Sequence, residues 1–408
     1  MIKINSSTSV LKGSVLLESS KSISNRILII KALSNQQFKI NNLSSSEDTQ
    51  LMIELLKNFK TLSKINCNHA GTTFRFLTAF LSTIEGEWIL EGSNRMHQRP
   101  IGPLVNCLNE MGANIKYLNK KNHPPLKISG RLKKGGSLKI RGDISSQYIS
   151  ALLMIAPTLK NGLEISINSK VLSKPYINMT LSLMGKMGIK YNWNNNKIII
   201  STQNYSCKDY IVENDWSSAS FWYSFAALST NAEIEIPLLV KNSLQGDAQL
   251  HKIYEKLGVT TKFFKDKIII KKCKLFKTSI RLNLNDYPDI ALPIITTCAG
   301  LGIETYLYGL ESLKHKESDR LLVIKNELNK FGVFTEIDES SIKLSKNQSL
   351  RTPTEIIKTH NDHRIPMSIA PLCLKTKFIE FDDINVVNKS YPKFWKDLEN
   401  IGINCNLN

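Results

Sequence analysis

The chain has 408 residues, of which 42% are hydrophobic, and its formal net charge is +19. This length allows two or three domains with sizeable cores, and the composition is typical of a globular protein, which excludes an intrinsically disordered one. The start, MIKINSSTSV, lacks the apolar segment of a secretory signal, and no apolar run reaches the roughly 20 residues that a membrane span needs. We therefore expect a cytoplasmic protein that does not bind membranes.

The positive charge raises the question of nucleic-acid binding. The lysines are spread along the whole chain, however, without a basic tail or a recognisable nucleic-acid-binding motif. Lys, Asn and Ile are all abundant and have A/T-rich codons, so genome composition is an alternative explanation of the charge. The remaining functional interpretation is a positive field that attracts small anionic substrates. The seven cysteines are dispersed without a C-x-x-C pair, which is typical of reduced thiols and argues against a zinc or redox site.

Six strongly hydrophobic segments, each with a polar or charged start, are predicted to be helices. They cover residues 21–33, 71–81, 145–159, 215–228, 288–301 and 362–374. Helices that are apolar nearly all round are typical of elements buried inside sheets. A second series joins an amphipathic helix to a strand through a glycine, at Gly112, Gly188, Gly258, Gly332 and Gly402. Gly is the residue expected just past a helix C-terminus, and recurrence at about 70–75 residues indicates a duplicated supersecondary unit.

Six such units predict an α/β protein with repeated βαβαββ-type units, in which sheets sheathe the buried helices. The first unit is shorter, because it runs quickly into CNHAGTTFRF without the glycine of the second series. The polar starts of the six helices would converge on one place, where their free N–H groups and positive dipole ends favour an anion. No Pro/Gly-rich linker marks a boundary, so we place it from the repeat near residues 213–215.

Charged side chains are concentrated at these helix starts and at the ends of nearby loops. The cations there are Lys21, Arg26, Arg99, Lys316, Arg320, Arg364 and Lys389. Several arginines together suit bidentate recognition of carboxylate or phosphate, and Asp289 and Glu317 add acid–base groups among them. The pattern as a whole predicts an anion site with acid–base chemistry.

Each of these residues taken singly also has an ordinary structural interpretation. Ser145 and Ser146 are suitable helix caps, and Pro288 is suitable as the first residue of a helix. The charged residues of KHKESDRLL could form a solvated helical face with ion pairs. His69 and His363 could be packed histidines, and a metal site is not expected because no carboxylate lies at ligand spacing with a second histidine.

Nine motifs resemble those of one enzyme family and occur in its order along almost the whole chain. They are SKSISNR, HAGTTFR, NRMHQRPIG, SSQYISALLM, SKPYI, YPDIA, KESDR, NDHR and NKSYPKFW. The family is that of the 5-enolpyruvylshikimate-3-phosphate synthases (3-phosphoshikimate 1-carboxyvinyltransferases), within the enolpyruvyl transferases. The combination of SKS-x-SNR, KE-[ST]-DR and NDHR is highly specific for it.

The resemblance implies a two-lobed fold with three repeated units in each lobe and a cleft that closes on substrate. Residues 20–213 would form the N-terminal lobe, and residues 1–19 with 214–408 a discontinuous C-terminal lobe. The implied reaction joins phosphoenolpyruvate to shikimate 3-phosphate and releases phosphate, on the shikimate pathway to chorismate and the aromatic amino acids. The family, the target of glyphosate, needs no metal or organic cofactor and is usually monomeric, and its partners are these two substrates and not nucleic acid.

The resemblance also assigns roles to individual residues. Shikimate 3-phosphate would be held by Ser22, Arg26, Ser145, Ser146, Gln147, Ser173, Asp289 and Lys316. Phosphoenolpyruvate would be held by Lys21, Gly71, Arg99, Gln147, Arg320, Arg364 and Lys389. Asp289 would accept the proton of the attacking 5-hydroxyl, and Glu317 with Lys21 would deliver a proton to the methylene carbon of phosphoenolpyruvate.

Several positions depart from the family pattern. Glu18-Ser19 replaces the usual Pro-Gly, His69 the usual Asn, Phe76 the usual Pro and Ser312 the usual Asn. A hairpin-sized piece is also absent between SSSEDTQ and CNHAGTT. Since the acid–base and cationic residues are all present, we expect an active enzyme.

Three alternatives remain open from the sequence. The sister enzyme, UDP-N-acetylglucosamine enolpyruvyl transferase, shares the fold and the chemistry but normally carries a Cys in the mobile loop, where this chain has EGSNRMHQRP. The second alternative, suggested by the +19 charge, is a nucleic-acid-binding module. The departures at His69, Phe76 and Ser312 leave a non-catalytic homologue as the third.

Overall fold

The computed structural model describes residues 1–132, 134–275, 278–346 and 349–407. The chain divides into two compact units. The N-terminal unit is Ser20–Val212, and the C-terminal unit is Met1–Ser19 together with Glu213–Asn408. Across the described ranges, no helix is both long enough and apolar enough to cross a membrane.

Both units contain strands and helices. The strands β1 to β21 are, in chain order, Ile2–Ser6, Val10–Ser14, Ile40–Asn41, Lys64–Asn66, Glu87–Glu91, Asn114–Tyr117, Leu126–Ser129, Gly136–Ile140, Leu163–Ile167, Asn192–Asn194, Lys197–Ile200, Tyr210–Ile211, Asn231–Pro237, Val259–Phe263, Lys267–Lys272, Ser279–Asn283, Glu304–Tyr308, Thr335–Ile337, Ser341–Leu344, Ile379–Phe381 and Ile403–Leu407. The helices α1 to α13 are Lys21–Ser34, Glu47–Asn58, Gly71–Ser82, Asn94–Gln98, Gly102–Glu110, Ser146–Ile155, Lys174–Lys186, Trp216–Leu228, Leu250–Glu255, Ala291–Leu301, Arg320–Lys330, Arg364–Ile369 and Phe394–Asn400.

The N-terminal unit contains two four-stranded sheets of the same design. Their orders are β4-β5-β7-β6 and β10-β11-β9-β8. In each sheet the first two strands along the chain pair in parallel and the remaining pairs are antiparallel, so each repeat has the predicted βαβαββ order. The first repeat is reduced to the short parallel pair of β3 and β12, with Ile40 opposite Tyr210. This reduction agrees with the short first unit read from the sequence.

The C-terminal unit uses residues 1–19 to complete two of its repeats. Strand β2 pairs in parallel with β13, at one edge of the sheet β14-β15-β13-β2. Strand β1 lies between β20 and β21 and is antiparallel to both. A parallel bridge from Ile357 to Phe381 extends that sheet to the same pattern as β16-β17-β19-β18. The last repeat is therefore closed by strand β1.

The long apolar helices are the buried cores of the repeats. In α8 every residue from Trp216 to Leu228 is buried, and α8 packs against α10. In the N-terminal unit α6 packs against α3 and α7. Hydroxyl groups inside these helices donate to carbonyls one turn back, as Thr78 does to Phe74 at 2.8 Å and Ser224 to Ser220 at 3.0 Å. The helices thus carry polar residues in an apolar interior without unsatisfied hydroxyls at these positions.

The five predicted glycines after amphipathic helices all have positive φ. Their φ values are 97° at Gly112, 85° at Gly188, 83° at Gly258, 79° at Gly332 and 93° at Gly402. This is the backbone region that disfavours residues with a Cβ atom, so the glycine series is confirmed with its physical reason.

Three of the predicted buried helices begin or end more than one residue from the predicted bounds, and the other three agree within one residue. The helix predicted from Pro288 begins at Ala291, because turns closed by the amides of Tyr287 and Ile290 occupy the preceding residues. The interpretation of Pro288 as the first helical residue is therefore wrong, and Asp289 lies in the loop before α10. Helices α6 and α12 both pass into 3-10 turns, at Ala156–Thr158 and Ala370–Leu374. Each turn contains a proline, which has no N–H to continue an α-helix.

Candidate active site

In the N-terminal unit, the start of α1 holds a lysine against a buried carboxylate. Ser20 caps the helix by accepting from the backbone N–H of Ile23. The ammonium of Lys21 lies 3.1 Å from Oδ2 of Asp48, which belongs to the first turn of α2 and is 8% exposed. Asp48 also accepts a bond from the hydroxyl of Thr73 at its backbone carbonyl, 3.3 Å away. Lys21 is therefore fixed relative to the starts of both α2 and α3.

Arg26 links α1 to the middle of α6 and of α7 from inside the unit. Its Nε donates to Thr180 Oγ1 at 2.7 Å, Nη1 to the Ser22 carbonyl at 2.8 Å and Nη2 to Ser150 Oγ at 3.3 Å. The guanidinium also faces the ring of Phe76, 5.3 Å from its centroid. Burial lowers the pKa of Arg26 to about 10. The departure from Pro at Phe76 thus supplies an aromatic surface for this buried cation.

Gly71 begins α3 directly beneath two guanidinium groups. A Cβ atom at Gly71 would lie 2.4 Å from Nη1 of Arg99 and 2.6 Å from Nη1 of Arg75. Arg75 donates to the Gly71 carbonyl at 3.0 Å. Only glycine leaves room for both groups, so the structure brings together the predicted residues Gly71 and Arg99. Arg75 was absent from the predicted site. Its position one helical turn after Gly71 in HAGTTFR could have indicated that it lies close to Gly71.

The start of α6 connects the predicted hydroxyls to α3. Ser145 caps α6 by accepting from the backbone N–H of Gln147, and Ser146 is the first helical residue. Gln147 Nε2 donates to Thr72 Oγ1 at 3.0 Å. In the described part of the chain, no donor reaches the buried Oε1 of Gln147. Ser145 is therefore a helix cap, as one interpretation of the sequence predicted. Its bond to the backbone of Gln147 orients that residue.

Ser173 precedes α7 in an unusual backbone conformation. Its φ is 55°, in the left-handed region, and it is buried. Its carbonyl accepts from the backbone N–H of Tyr176, and the Tyr176 carbonyl accepts from Thr180, the hydroxyl that also binds Arg26. A non-glycine residue at positive φ is strained, and such strain is concentrated at functional positions.

In the C-terminal unit, the Asp289 carboxylate lies among three cations. Lys316 Nζ and Arg320 Nη1 are each 3.4 Å from Oδ1, and Arg364 Nη2 is 3.6 Å from Oδ2. Arg364 also donates to the Asp289 carbonyl at 2.6 Å. Cations at these distances favour the ionised carboxylate. Burial lowers the pKa of Lys316, against the opposing effect of Asp289.

Glu317 is held between Arg320 and one further cation, Lys389. Its Oε2 lies 2.9 Å from Arg320 Nη2, and its Oε1 lies 3.3 Å from Lys389 Nζ. Arg320 is 1% exposed and Lys389 9%. The interpretation of KHKESDRLL as a solvated helical face is therefore wrong, since these charges are paired with one another inside the unit.

Asp362 is a residue of this cluster that the sequence analysis did not assign to the site. It is fully buried, and its two oxygens accept from Arg320 Nε at 2.8 Å and Nη2 at 3.1 Å. Ser318 Oγ and the backbone N–H of Arg364 complete its bonds at 3.0 and 3.1 Å. Although burial opposes its charge, Asp362 and Glu317 raise the pKa of Arg320 above its ordinary value. The motif NDHR contained Asp362, but only its position shows that it orients Arg320.

A family model described as EPSP synthase (3-phosphoshikimate 1-carboxyvinyltransferase) matches residues 6–398 of the chain. The chain belongs to the EPSP synthase family. The family suggested by the motifs is thereby confirmed, and with it the shikimate-pathway transferase function. EPSP synthase is favoured over the sister enolpyruvyl transferase, and membership of this family makes the chain an enzyme.

Relatives and solved structures agree with this membership of the EPSP synthase family. The 3-phosphoshikimate 1-carboxyvinyltransferase of Bacteroides fragilis (strain YCH46) is 41% identical over 399 residues, which cover 97% of each chain. That of Buchnera aphidicola subsp. Cinara cedri (strain Cc) is 36% identical over 430 residues, covering 98% of this chain and 97% of the relative. A structure of EPSP synthase from Acinetobacter baumannii, 20% identical, covers 100% of this chain and 99% of its own with a TM-score of 0.79. That likeness confirms the fold class.

The remaining departures from the EPSP synthase pattern are local. His69 is exposed in the turn before α3. Ser312 lies in the 3-10 helix Glu311–His315, just before Lys316. Neither change removes a charged residue of the two clusters.

Asp247 is another acidic residue that the sequence did not assign to the site. It is buried near the start of α8, where Ser217 Oγ donates to its Oδ2 at 2.6 Å. Burial, followed by the negative charge of Asp289, raises the pKa of Asp247 from 3.8 to about 7, while the Ser217 bond and Arg364 act in the opposite direction. Asp247 is therefore linked electrostatically to Asp289 and Arg364.

Asp247 is expected to make stability fall as pH rises. The folded state binds this proton more tightly than the unfolded chain, so the destabilisation grows between about pH 4 and about pH 7, up to a few kcal/mol. Asp247→Asn cannot ionise at this position. The Tm of the variant minus that of the unsubstituted protein, measured by calorimetry, should therefore increase as pH rises across this interval. The exposed Asp266→Asn serves as the control and should keep a constant difference. A constant difference for Asp247→Asn as well would contradict the raised pKa.

Proposed function

We propose that this chain transfers the enolpyruvyl group of phosphoenolpyruvate to the 5-hydroxyl of shikimate 3-phosphate, giving 5-enolpyruvylshikimate 3-phosphate and phosphate. The observation that carries the proposal is the Asp289 carboxylate within 3.4–3.6 Å of Lys316, Arg320 and Arg364. A carboxylate kept ionised by neighbouring cations is a suitable general base, and the same cations suit anionic substrates. Membership of the EPSP synthase family supports the identity of both substrates.

Each of the two substrates is assigned to a group of residues that includes cations. For shikimate 3-phosphate the proposed residues are Ser22, Arg26, Ser145, Ser146, Gln147, Ser173, Asp289 and Lys316. For phosphoenolpyruvate they are Lys21, Gly71, Arg99, Gln147, Arg320, Arg364 and Lys389. The buried Gln147 Oε1, which no donor reaches within the described chain, is an acceptor suited to a substrate hydroxyl.

The proposed reaction begins with proton transfer to Asp289. As Asp289 accepts the proton of the 5-hydroxyl, that oxygen attacks the second carbon of phosphoenolpyruvate, and Glu317 with Lys21 delivers a proton to the methylene carbon. The resulting tetrahedral adduct returns a proton from the same carbon to Glu317 and Lys21, and that electron pair reforms the double bond. The C–O bond to phosphate breaks, and the phosphate takes the proton held by Asp289. Arg320, Arg364 and Lys389 would stabilise the charge on the departing phosphate, because fixed cations need no reorganisation during the step.

The direct test is phosphate release from phosphoenolpyruvate with each of two acceptors, shikimate 3-phosphate and UDP-N-acetylglucosamine. Release with shikimate 3-phosphate alone supports the proposal. Release with only UDP-N-acetylglucosamine would assign the chain to the sister reaction. Release with neither, from folded protein, would indicate a non-catalytic homologue, and retention of nucleic acid that weakens steeply with salt would then indicate a binding role.

Replacement of the proposed base should abolish most of the activity. Asp289→Asn cannot accept the hydroxyl proton, so kcat should fall by about 10²–10⁴-fold, while binding of shikimate 3-phosphate by calorimetry stays largely intact. Asp286→Asn, in the same loop, is the matched control and should retain turnover. Undiminished turnover of Asp289→Asn would exclude Asp289 as the base.

Gly71→Ala should weaken binding of phosphoenolpyruvate and of glyphosate. The added methyl group would lie 2.4 Å from Arg99 Nη1, so this guanidinium must move. We expect the KM for phosphoenolpyruvate and the inhibition constant of glyphosate to rise about tenfold or more, which is about 1.4 kcal/mol. Gly185→Ala in α7, where a Cβ atom meets only an ordinary contact at 3.7 Å, is the control. Equal constants in both variants would show that Gly71 does not shape the site.

A further inference from the structure

A buried glutamate on α11 binds the segment that leads into the Asp289 cluster. Glu327 is 2% exposed and lies two helical turns after Arg320. Its Oε2 lies 2.7 Å from Lys330 Nζ and accepts from the backbone N–H of Lys358 at 3.1 Å. Its Oε1 accepts from His360 Nε2 at 2.9 Å. Both carboxylate oxygens of Glu327 therefore have partners within the protein. Two of the three partner residues, Lys358 and His360, belong to the segment that leads into the Asp289 cluster.

A third contact holds the same segment on α11. Lys330 Nζ, besides pairing with Glu327, donates to the carbonyl of Ile356 at 2.9 Å. Further along, Asp362 accepts two bonds from Arg320 at the first turn of α11. Residues 356–362 are thus attached to one helix at two places, separated by two turns of that helix. We refer to the contacts of Glu327 with His360, Lys358 and Lys330 as the Glu327 anchor.

Between these two attachments the backbone is strained. His360 has a φ of 54° and Asn361 a φ of 53°. The left-handed region is unfavourable for residues with a Cβ atom, and Asn tolerates it better than His. Consecutive non-glycine residues in this region persist only where the surrounding structure holds them. The backbone N–H of Asp362 closes the turn by donating to the Thr359 carbonyl at 3.0 Å, and the bond from His360 to Glu327 holds the turn against α11.

The turn sets the position of two residues of the candidate site. Asp362 follows it immediately and fixes Arg320, and Arg364 lies two residues further on. Arg364 in turn donates to the Asp289 carbonyl at 2.6 Å. If the turn relaxed to an ordinary backbone conformation, Asp362 and Arg364 would be displaced relative to Asp289.

We propose that Glu327 and His360 are positioning residues, which hold the left-handed turn against α11 and thereby fix Arg364 for phosphoenolpyruvate. This inference rests on the proposed function for the role of Arg364, but the anchor itself is a property of the fold. Neither residue touches the groups assigned to proton transfer, and so both act through Asp362 and Arg364.

Steady-state kinetics of three variants test the link to substrate. In Glu327→Gln and His360→Ala we expect the KM for phosphoenolpyruvate to rise about tenfold, with the KM for shikimate 3-phosphate changed by less than about twofold. His360→Gln retains an N–H donor that can reach Glu327, and it should bring the KM for phosphoenolpyruvate back to within about threefold of the original. A merely structural role would lower the amount of active enzyme, and hence kcat, without this selective change in KM.

Hydrogen exchange gives a readout that does not depend on activity. In the unliganded protein, peptides covering residues 356–364 should exchange faster in Glu327→Gln and His360→Ala than in the unsubstituted protein. Glu336→Gln is the matched control, because Glu336 is also paired with a lysine in this unit, Lys343, but is 83% exposed. Its exchange and its KM values should be unchanged.

The outcomes separate the anchor from the proposed function. Unchanged exchange in both Glu327→Gln and His360→Ala would overturn the anchor. Faster exchange with an unchanged KM for phosphoenolpyruvate would overturn the link to Arg364. If the unsubstituted protein released no phosphate with shikimate 3-phosphate, the proposed function would fail and with it the role in substrate binding, while the exchange result would still decide whether Glu327 holds the turn.

Discussion

The ion pair between Arg320 and Asp362 fixes the geometry of the C-terminal unit's cluster. Both side chains are almost completely buried, and two hydrogen bonds of 2.8 and 3.1 Å define the plane of the guanidinium. Burying two charges is costly unless they are paired, and removing one partner of such a pair typically costs about 3–5 kcal/mol. Because Asp362 determines where the guanidinium lies, it also determines which of its nitrogens meet Glu317 and Asp289. The proposed acid–base groups thus depend on the Asp362 carboxylate, which has no proposed role in proton transfer.

The two units treat their buried arginines differently. In the C-terminal unit Arg320 is neutralised by carboxylates on several sides. In the N-terminal unit Arg26 bonds to two hydroxyls and a carbonyl, and Arg75 bonds to a carbonyl. Hydroxyls and carbonyls satisfy hydrogen bonds without cancelling charge, so the positive field of these groups remains available to an anion. Part of the chain's net positive charge is therefore located on buried arginines of the N-terminal unit, which composition alone did not show.

Periodic and local features could be predicted from the sequence, whereas contacts between distant segments could not. The glycines at the helix ends and the helix starts at Lys21 and Gly71 follow from local chemistry, and the structure has them as predicted. The start of α10 was misplaced because a proline permits a helix start without requiring one.

The three acidic residues that were missed have a common cause. Asp48, Asp247 and Asp362 each act on a residue 27 or more positions away in the chain, where no spacing rule applies. The left-handed turn at His360 and Asn361 was equally unforeseen, since neither residue type requires that conformation and contacts with the sequence-distant Glu327 and Asp382 hold it. Local chemistry therefore predicted where the candidate site lies, and tertiary packing determined which carboxylates orient its cations.

The placement of β1 in the middle of a three-stranded sheet has a consequence for biosynthesis. This strand pairs with β20 on one side and β21 on the other, so it separates two strands that are made almost 400 residues later. Ribosomes release the chain from its N-terminal end, and residues 20–212 can assemble as soon as they emerge. Strands β1 and β2 must meanwhile wait without their partners, with backbone groups exposed that attract other strands. The first residues to be made are thus among the last to reach their final place.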